Sequence, residues 1–96
     1  MHIIKNGIFN MDDCLKTALD ALPESSESIC QIYSTDDEFR LLCHDYVDTL
    51  NAIKTWQQSD KNEAPMRVKE YQSLAGELRK DMKIWIEKVM AHKSPQ

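Results

Sequence analysis

Glycine and proline are scarce in this chain, which contains two glycines and three prolines among 96 residues. A fold built from short strands needs these residues at many of its turns, so their scarcity argues against a β sandwich or barrel. Hydrophobic residues make up 42% and charged residues 29% of the chain, which is the balance of a globular protein rather than a disordered one. A chain of this length has room for one domain at most.

Cysteine occurs in an odd number and without a spacing typical of disulfide frameworks or zinc sites. Cys14, Cys30 and Cys43 form no Cys-x-x-Cys pair, and the sequence contains no His-x-x-x-His. Long apolar runs are missing as well, and the first residues show no signal-peptide pattern. We therefore expect free thiols, a cytoplasmic location and no association with a membrane.

Motifs for catalysis and cofactor binding are also missing. The sequence contains no glycine-rich phosphate loop and no nucleophile elbow. Cys43 and His44 are adjacent, but neighbouring side chains on a helix point about 100° apart, which predicts a buried thiol and an exposed imidazole. The acidic run at 36–38 is better explained by helix capping than by acid–base chemistry. We expect no enzymatic activity, no metal or other cofactor and no small-molecule substrate.

What the chain does contain is two long stretches of helical periodicity. The first apolar stripe comprises Phe39, Leu42, Cys43, Tyr46, Leu50 and Ile53, and the second comprises Tyr71, Leu74, Leu78, Met82, Trp85 and Val89. Thr35 and Glu38 match a capping box with Thr35 at the N-cap, and Pro65 is tolerated only in the first turn of a helix. These patterns predict an all-α fold with a long antiparallel helical hairpin, whose helices span about 36–58 and 63–91.

The first third of the chain predicts a shorter helix and leaves one segment undecided. Residues 11–22 repeat apolar positions on one helical face, and Pro23 ends this helix. Residues 24–33 are polar and then apolar, and could form another short helix behind Pro23. Residues 1–10 hold an Asn-Gly turn signal between apolar pairs too short for a stable hairpin, which predicts a flexible N-terminal arm. We therefore divide the chain into this arm and a single helical domain at 11–96.

The predicted hairpin carries more apolar surface than two helices bury between them. The residues on the flanks of the stripes or at the crowded end of the second helix are Leu41, Trp56, Ile84, Ile86 and Met90. Such surface requires a third element or a second copy of the chain. We expect the short N-terminal helix to pack across the open end, and we take these five residues as the candidate interface of a homodimeric helical bundle or of a complex with another protein.

The net charge of −4 is spread unevenly, since residues 59–96 carry eight basic and six acidic side chains. The bases of the second long helix are Arg67, Lys69, Arg79, Lys80, Lys83 and Lys88. They alternate with acids and we expect them to line no single face, while net acidity opposes binding to phosphates. Nucleic acid is therefore the less favoured partner.

Residues 29–39 read Ile-Cys-Gln-Ile-Tyr-Ser-Thr-Asp-Asp-Glu-Phe and lead into a long helix, a turn and a second helix. This arrangement resembles the small YdcH-like bacterial proteins over about residues 27–91. Glu38 stands where that family usually has proline, the second helix is longer here, and the first 23 residues have no counterpart. The resemblance implies a bacterial cytoplasmic hairpin with no catalytic residue.

Together these features favour a small protein–protein interaction or oligomerisation module of unknown pathway, without catalysis. The alternative is a small regulator that binds nucleic acid through its basic C-terminal helix.

Overall fold

The structure is a computed structural model that describes residues 13–93, and all regular elements within this range are helical. In chain order they are α1 at 13–21, a 3-10 turn at Pro23–Ser25, α2 at Ser26–Thr35, α3 at Asp37–Gln57 and α4 at Ala64–Lys93. The predicted all-α fold with a long helical hairpin is confirmed, and α3 and α4 form that hairpin. The predicted arm at 1–10 lies outside the described residues.

The segment that the sequence left undecided, 24–33, is helical. Pro23 opens the 3-10 turn, where its missing amide hydrogen costs nothing, and α2 follows directly. α2 buries Ile29, Ile32 and Tyr33. Arg40 of α3 donates a hydrogen bond from Nη1 to the Tyr33 carbonyl oxygen at 2.6 Å, which satisfies one of the carbonyls at the end of α2. α2 is thereby tied to the start of the hairpin.

The junction between α2 and α3 differs from the predicted capping box. Thr35 is the last residue of α2, and its hydroxyl donates to the Gln31 carbonyl at 3.1 Å instead of capping α3. Asp36 is the N-cap: its backbone is extended, and its Oδ1 accepts the Phe39 amide at 3.0 Å. The prediction that Thr35 caps the helix was one residue early, because Asp is at least as good an N-cap as Thr and Asp36 is the residue that leaves the helical conformation.

The core lies between α3 and α4 and extends under α1 and α2. Its largest fully buried side chains are Phe39, Ile29, Ile32, Met82 and Cys43. From α1, Cys14 and Ala18 join the same cluster. None of the helices within residues 13–93 combines the length and the apolarity needed to cross a membrane.

The interior face of α4 follows the predicted stripe at Met82, which is fully buried, and departs from it at Leu74. Ala75 and Ile86 are buried, whereas Leu74 is 41% exposed. Helical periodicity favoured Leu74 because it is large and apolar, but the neighbouring Ala75 belongs to the core instead. Ala75 and Met82 lie seven residues apart and therefore share one face of α4.

Candidate interaction surface

An open groove of about 370 Å³ lies between α3 and α4, near the start of α3 and the later turns of α4. It is lined by Glu38, Leu41, Leu42, Asp45, Asp81, Ile84 and Trp85. α1 occupies the other flank of the hairpin, where Thr17 and Asp20 lie near Tyr46 and Leu50. Within the described residues, the groove flank therefore has no helix over it.

Leu41 and Ile84 stand exposed on the two sides of this groove, at 63% and 48% of their surface. They come from different helices and are brought together only by the antiparallel pairing of α3 and α4. A partner that covered both side chains would gain roughly 1–2 kcal/mol of binding free energy from each, because burial of apolar surface is favourable in proportion to its area. The groove is thus an apolar surface that a partner could cover with a gain in free energy.

The other three predicted interface residues lie elsewhere. Ile86 is only 4% exposed and belongs to the core of the chain, and Met90 is half-buried against that core. Trp56 lines a separate surface depression near the turn between α3 and α4, beside Pro65 and Val68. Since residues 84–86 are all large and apolar, periodicity could not decide which side chain points inward, and packing places Ile86 there.

Trp85, which lines the groove, is held by a hydrogen bond that links α4 to the start of α3. Trp85 donates from Nε1 to Asp36 Oδ2 at 3.2 Å, while the other oxygen of the same carboxylate caps α3 through the Phe39 amide. One carboxylate therefore orients the start of α3 and the indole of α4 together. Sequence reasoning missed this link, although a half-buried indole N–H usually has a partner and that need was a usable signal.

The rim of the groove is acidic. Glu38, Asp45 and Asp81 are exposed and line it, and among the described residues that line it there is no base. These three carboxylates give the groove lining a negative charge, while Lys80, Lys83 and Lys88 of α4 lie outside that lining. The groove thus combines apolar side chains with exposed acids.

Charge is also separated around α4. At about 100° per residue, Glu70, Glu77 and Asp81 fall within a narrow arc on the side of Ile84. Four of the six bases fall together on a different arc of the same helix: Lys69, Arg79, Lys80 and Lys83. The separation is not complete, because Glu87 lies among these bases and Lys88 lies on the acidic side. These four bases thus share a broad sector of α4 that also holds Glu87, and Arg79 is turned towards α1.

A contact between a thiol and an imidazole joins α1 to α3. Cys14 Sγ lies 3.3 Å from His44 Nδ1, and the Cys14 thiol also forms a hydrogen bond with the Tyr33 side chain. Burial, and then the Asp48 carboxylate, raise the pKa of Cys14 above its usual 9.0, and burial raises the pKa of Cys43 to about 12. Both thiols are protonated at neutral pH, so the contact of Cys14 with His44 is a hydrogen bond of a protonated thiol and not an activated nucleophile.

Among the described residues, no three side chains of His, Cys, Asp or Glu come close enough together to hold a metal ion. No protein-family model, curated protein or solved structure matches the chain. The resemblance to YdcH-like proteins stays a prediction.

Proposed function

We propose that this protein is a protein–protein interaction module whose docking surface is the groove between α3 and α4. The observation that supports the proposal is the exposure of Leu41 and Ile84 on the two sides of one groove, whose lining residue Trp85 is held by its hydrogen bond to Asp36. An apolar surface that is already ordered loses little conformational entropy when a partner covers it, and more of the gain from burial then appears as affinity.

We include no catalytic step and no cofactor, and the contact between Cys14 and His44 supports the first point because it joins a protonated thiol to an imidazole. It also includes a cytoplasmic location. Cys14, Cys30 and Cys43 are all free thiols, which suits a reducing compartment. The occupant of the groove is either a second copy of the chain, as in a homodimer, or a different protein.

The test measures self-association and helix binding with the same pair of variants. Ile84→Ser removes an apolar side chain from the groove, and Met66→Ser is the matched control because Met66 is 61% exposed but does not line the groove. Molar mass is measured by light scattering after size exclusion. Binding is measured by fluorescence anisotropy with two labelled amphipathic helices that have identical leucine positions and either lysine or glutamate on the polar face.

If the wild-type protein is a dimer that Ile84→Ser dissociates and Met66→Ser does not, a second copy occupies the groove. If it is a monomer, at least one of the helices must bind, and Ile84→Ser must weaken that binding by about tenfold, as expected for the loss of an interface anchor. A monomer that binds neither helix would contradict the proposed function.

Nucleic-acid binding through α4 is the alternative, and the observation that favours it is the shared arc of Lys69, Lys80 and Lys83. All three side chains are exposed. Titration with a generic DNA duplex at two salt concentrations tests it, because binding by phosphate neutralisation weakens steeply as salt rises. Salt-sensitive binding that Lys80→Ala and Lys83→Ala reduce, and Ile84→Ser leaves unchanged, would favour this alternative.

A further inference from the structure

We infer that the groove accepts an amphipathic helix of a different protein, one that presents leucine-like side chains flanked by lysine or arginine. This inference rests on the proposed function and adds the chemistry of the partner. A volume of about 370 Å³ admits a few branched side chains rather than a whole helix. The partner would therefore lie across the groove and insert anchors spaced three or four residues apart along one face.

The acidic rim selects the charge of that partner. Glu38, Asp45 and Asp81 surround the exposed Leu41 and Ile84, so any helix that inserts apolar anchors brings its flanking residues close to these three carboxylates. Basic flanks form favourable pairs and accelerate association, whereas acidic flanks are repelled. Apolar anchors with basic flanks are the combination that matches both features of the groove.

A second copy of the chain matches the groove less well. In a two-fold dimer formed through this surface, Asp45 and Asp81 of one copy would face the acidic rim of the other, because an isologous interface pairs a surface with itself. The basic arc of α4 in a second copy offers Lys80 and Lys83, and the exposed large apolar residue beside them within the described residues is Ile84. Ile84 lines the groove itself, so a copy that docked it as an anchor would bring its own Asp81 against the acidic rim.

The chain's own N-terminal residues are also a poorer match. Residues 1–12 contain Ile3, Ile4, Ile8 and Phe9, but one lysine against one aspartate. They could supply apolar anchors without an excess of positive charge, so the rim would give them no electrostatic preference.

The experiment uses the full chain and a fluorescein-labelled helix of about 18 residues, roughly five turns, with leucine on one face and lysine on the other. The comparison probe keeps the leucine positions and replaces lysine with glutamate. We expect saturable one-to-one binding of the lysine probe, and at least about tenfold weaker binding of the glutamate probe, since like charges across an interface oppose association.

A charge exchange between neighbouring residues separates the acidic rim from general electrostatic attraction. The double variant Lys80→Asp, Asp81→Lys leaves the net charge of −4 unchanged and moves one positive charge into the groove lining. We expect it to weaken binding of the lysine probe about fivefold, the upper range for a charge at the edge of an interface. Met66→Ser, outside the groove, should leave the affinity unchanged.

The outcomes separate this inference from the proposed function. Equal binding of both probes, with Ile84→Ser weakening both, would overturn the basic-partner inference and leave a docking groove without charge preference. A dimer that binds neither probe and dissociates with Ile84→Ser would overturn it in favour of a second copy. If the lysine probe binds and neither the charge exchange nor Ile84→Ser changes its affinity, the probe binds outside the groove, and the inference is overturned. A monomer that binds neither probe would overturn both.

Discussion

The carboxylate of Asp36 should contribute more to stability than any other exposed or half-exposed acid in the hairpin, because it serves two helices. Oδ1 caps α3 through the Phe39 amide at 3.0 Å, and Oδ2 accepts the Trp85 indole hydrogen at 3.2 Å. Two substitutions separate these roles. Asp36→Ala removes both acceptors, whereas Asp36→Asn keeps one oxygen for the cap and presents an amide group to the indole, where both groups are donors.

The expected magnitudes follow from these contacts. Loss of an N-cap costs about 1 kcal/mol, loss of the indole acceptor about 1 kcal/mol, and loss of a negative charge at the start of α3 about 0.5 kcal/mol. Asp36→Ala should therefore lower the free energy of unfolding by about 2–3 kcal/mol. Asp36→Asn retains a good cap and should lower it by about 1–1.5 kcal/mol. Asp37→Ala is the matched control, since its side chain is 87% exposed in an ion pair with Arg40 and should cost less than about 0.5 kcal/mol.

Urea unfolding followed by far-ultraviolet circular dichroism gives these free energies, provided that the transition is two-state. A double-mutant cycle with Trp85→Phe isolates the indole bond, because the Asp36→Asn cost should fall by about 1 kcal/mol when the donor is absent. An Asp36→Ala value equal to that of Asp37→Ala would refute the capping role. A cycle without coupling would refute the contribution of the bond to the Trp85 indole.

Four further predictions concern packing, helix propensity, thiol accessibility and thiol titration. Met82→Ala should cost about 3 kcal/mol because Met82 is fully buried, whereas Leu74→Ala should cost less than about 1 kcal/mol, both measured by urea unfolding. Gly76→Ala should raise the free energy of unfolding by about 1 kcal/mol, since an added Cβ meets no atom within 4 Å; a loss would show a close neighbour. Iodoacetamide should label the exposed Cys30 well before Cys43 in the folded protein. Because the pKa of Cys43 rises from 9.0 to about 12 on folding, the unfolded chain loses that proton first, and stability should fall as pH rises through this window, less steeply in Cys43→Ala.

The hairpin could be predicted from sequence because its signals act locally and agree with one another. The apolar stripe of α3 and the position of Pro65 near the start of α4 placed both long helices within two residues of the observed bounds. The buried face of α4 was predicted in the same way except at Leu74. Whether Leu74 or Ala75 is buried depends on how α4 packs against the other helices, which is a property of the assembled core rather than of one helix.

The candidate surface could be predicted only in part, because its position also depends on how the helices pack. Surplus apolar residues indicated that some surface would be left uncovered, and Leu41 and Ile84 do lie together in the groove. Ile86 follows Ile84 by two residues and is the same type of residue, so the sequence predicts the same exposure for both. Ile86 is nevertheless buried, because it belongs to the core cluster that includes residues of α1 and α2. Contacts between distant residues, such as Trp85 with Asp36, require the hairpin to be closed before they can be seen.

The Asp36 contacts that stabilise the hairpin lie beside the proposed docking surface. The antiparallel pairing brings the first turns of α3 beside the later turns of α4, where the Asp36 carboxylate holds the Trp85 indole and the groove opens beside it. Acids at the start of a helix are favourable because of the helix dipole, so Glu38 serves α3 and the rim of the groove at once. Asp45 and Asp81 lie beyond the first turns of their helices, where the dipole offers no such gain. In the proposed function, these two acids act on the charge of the partner rather than on the dipole of their own helix.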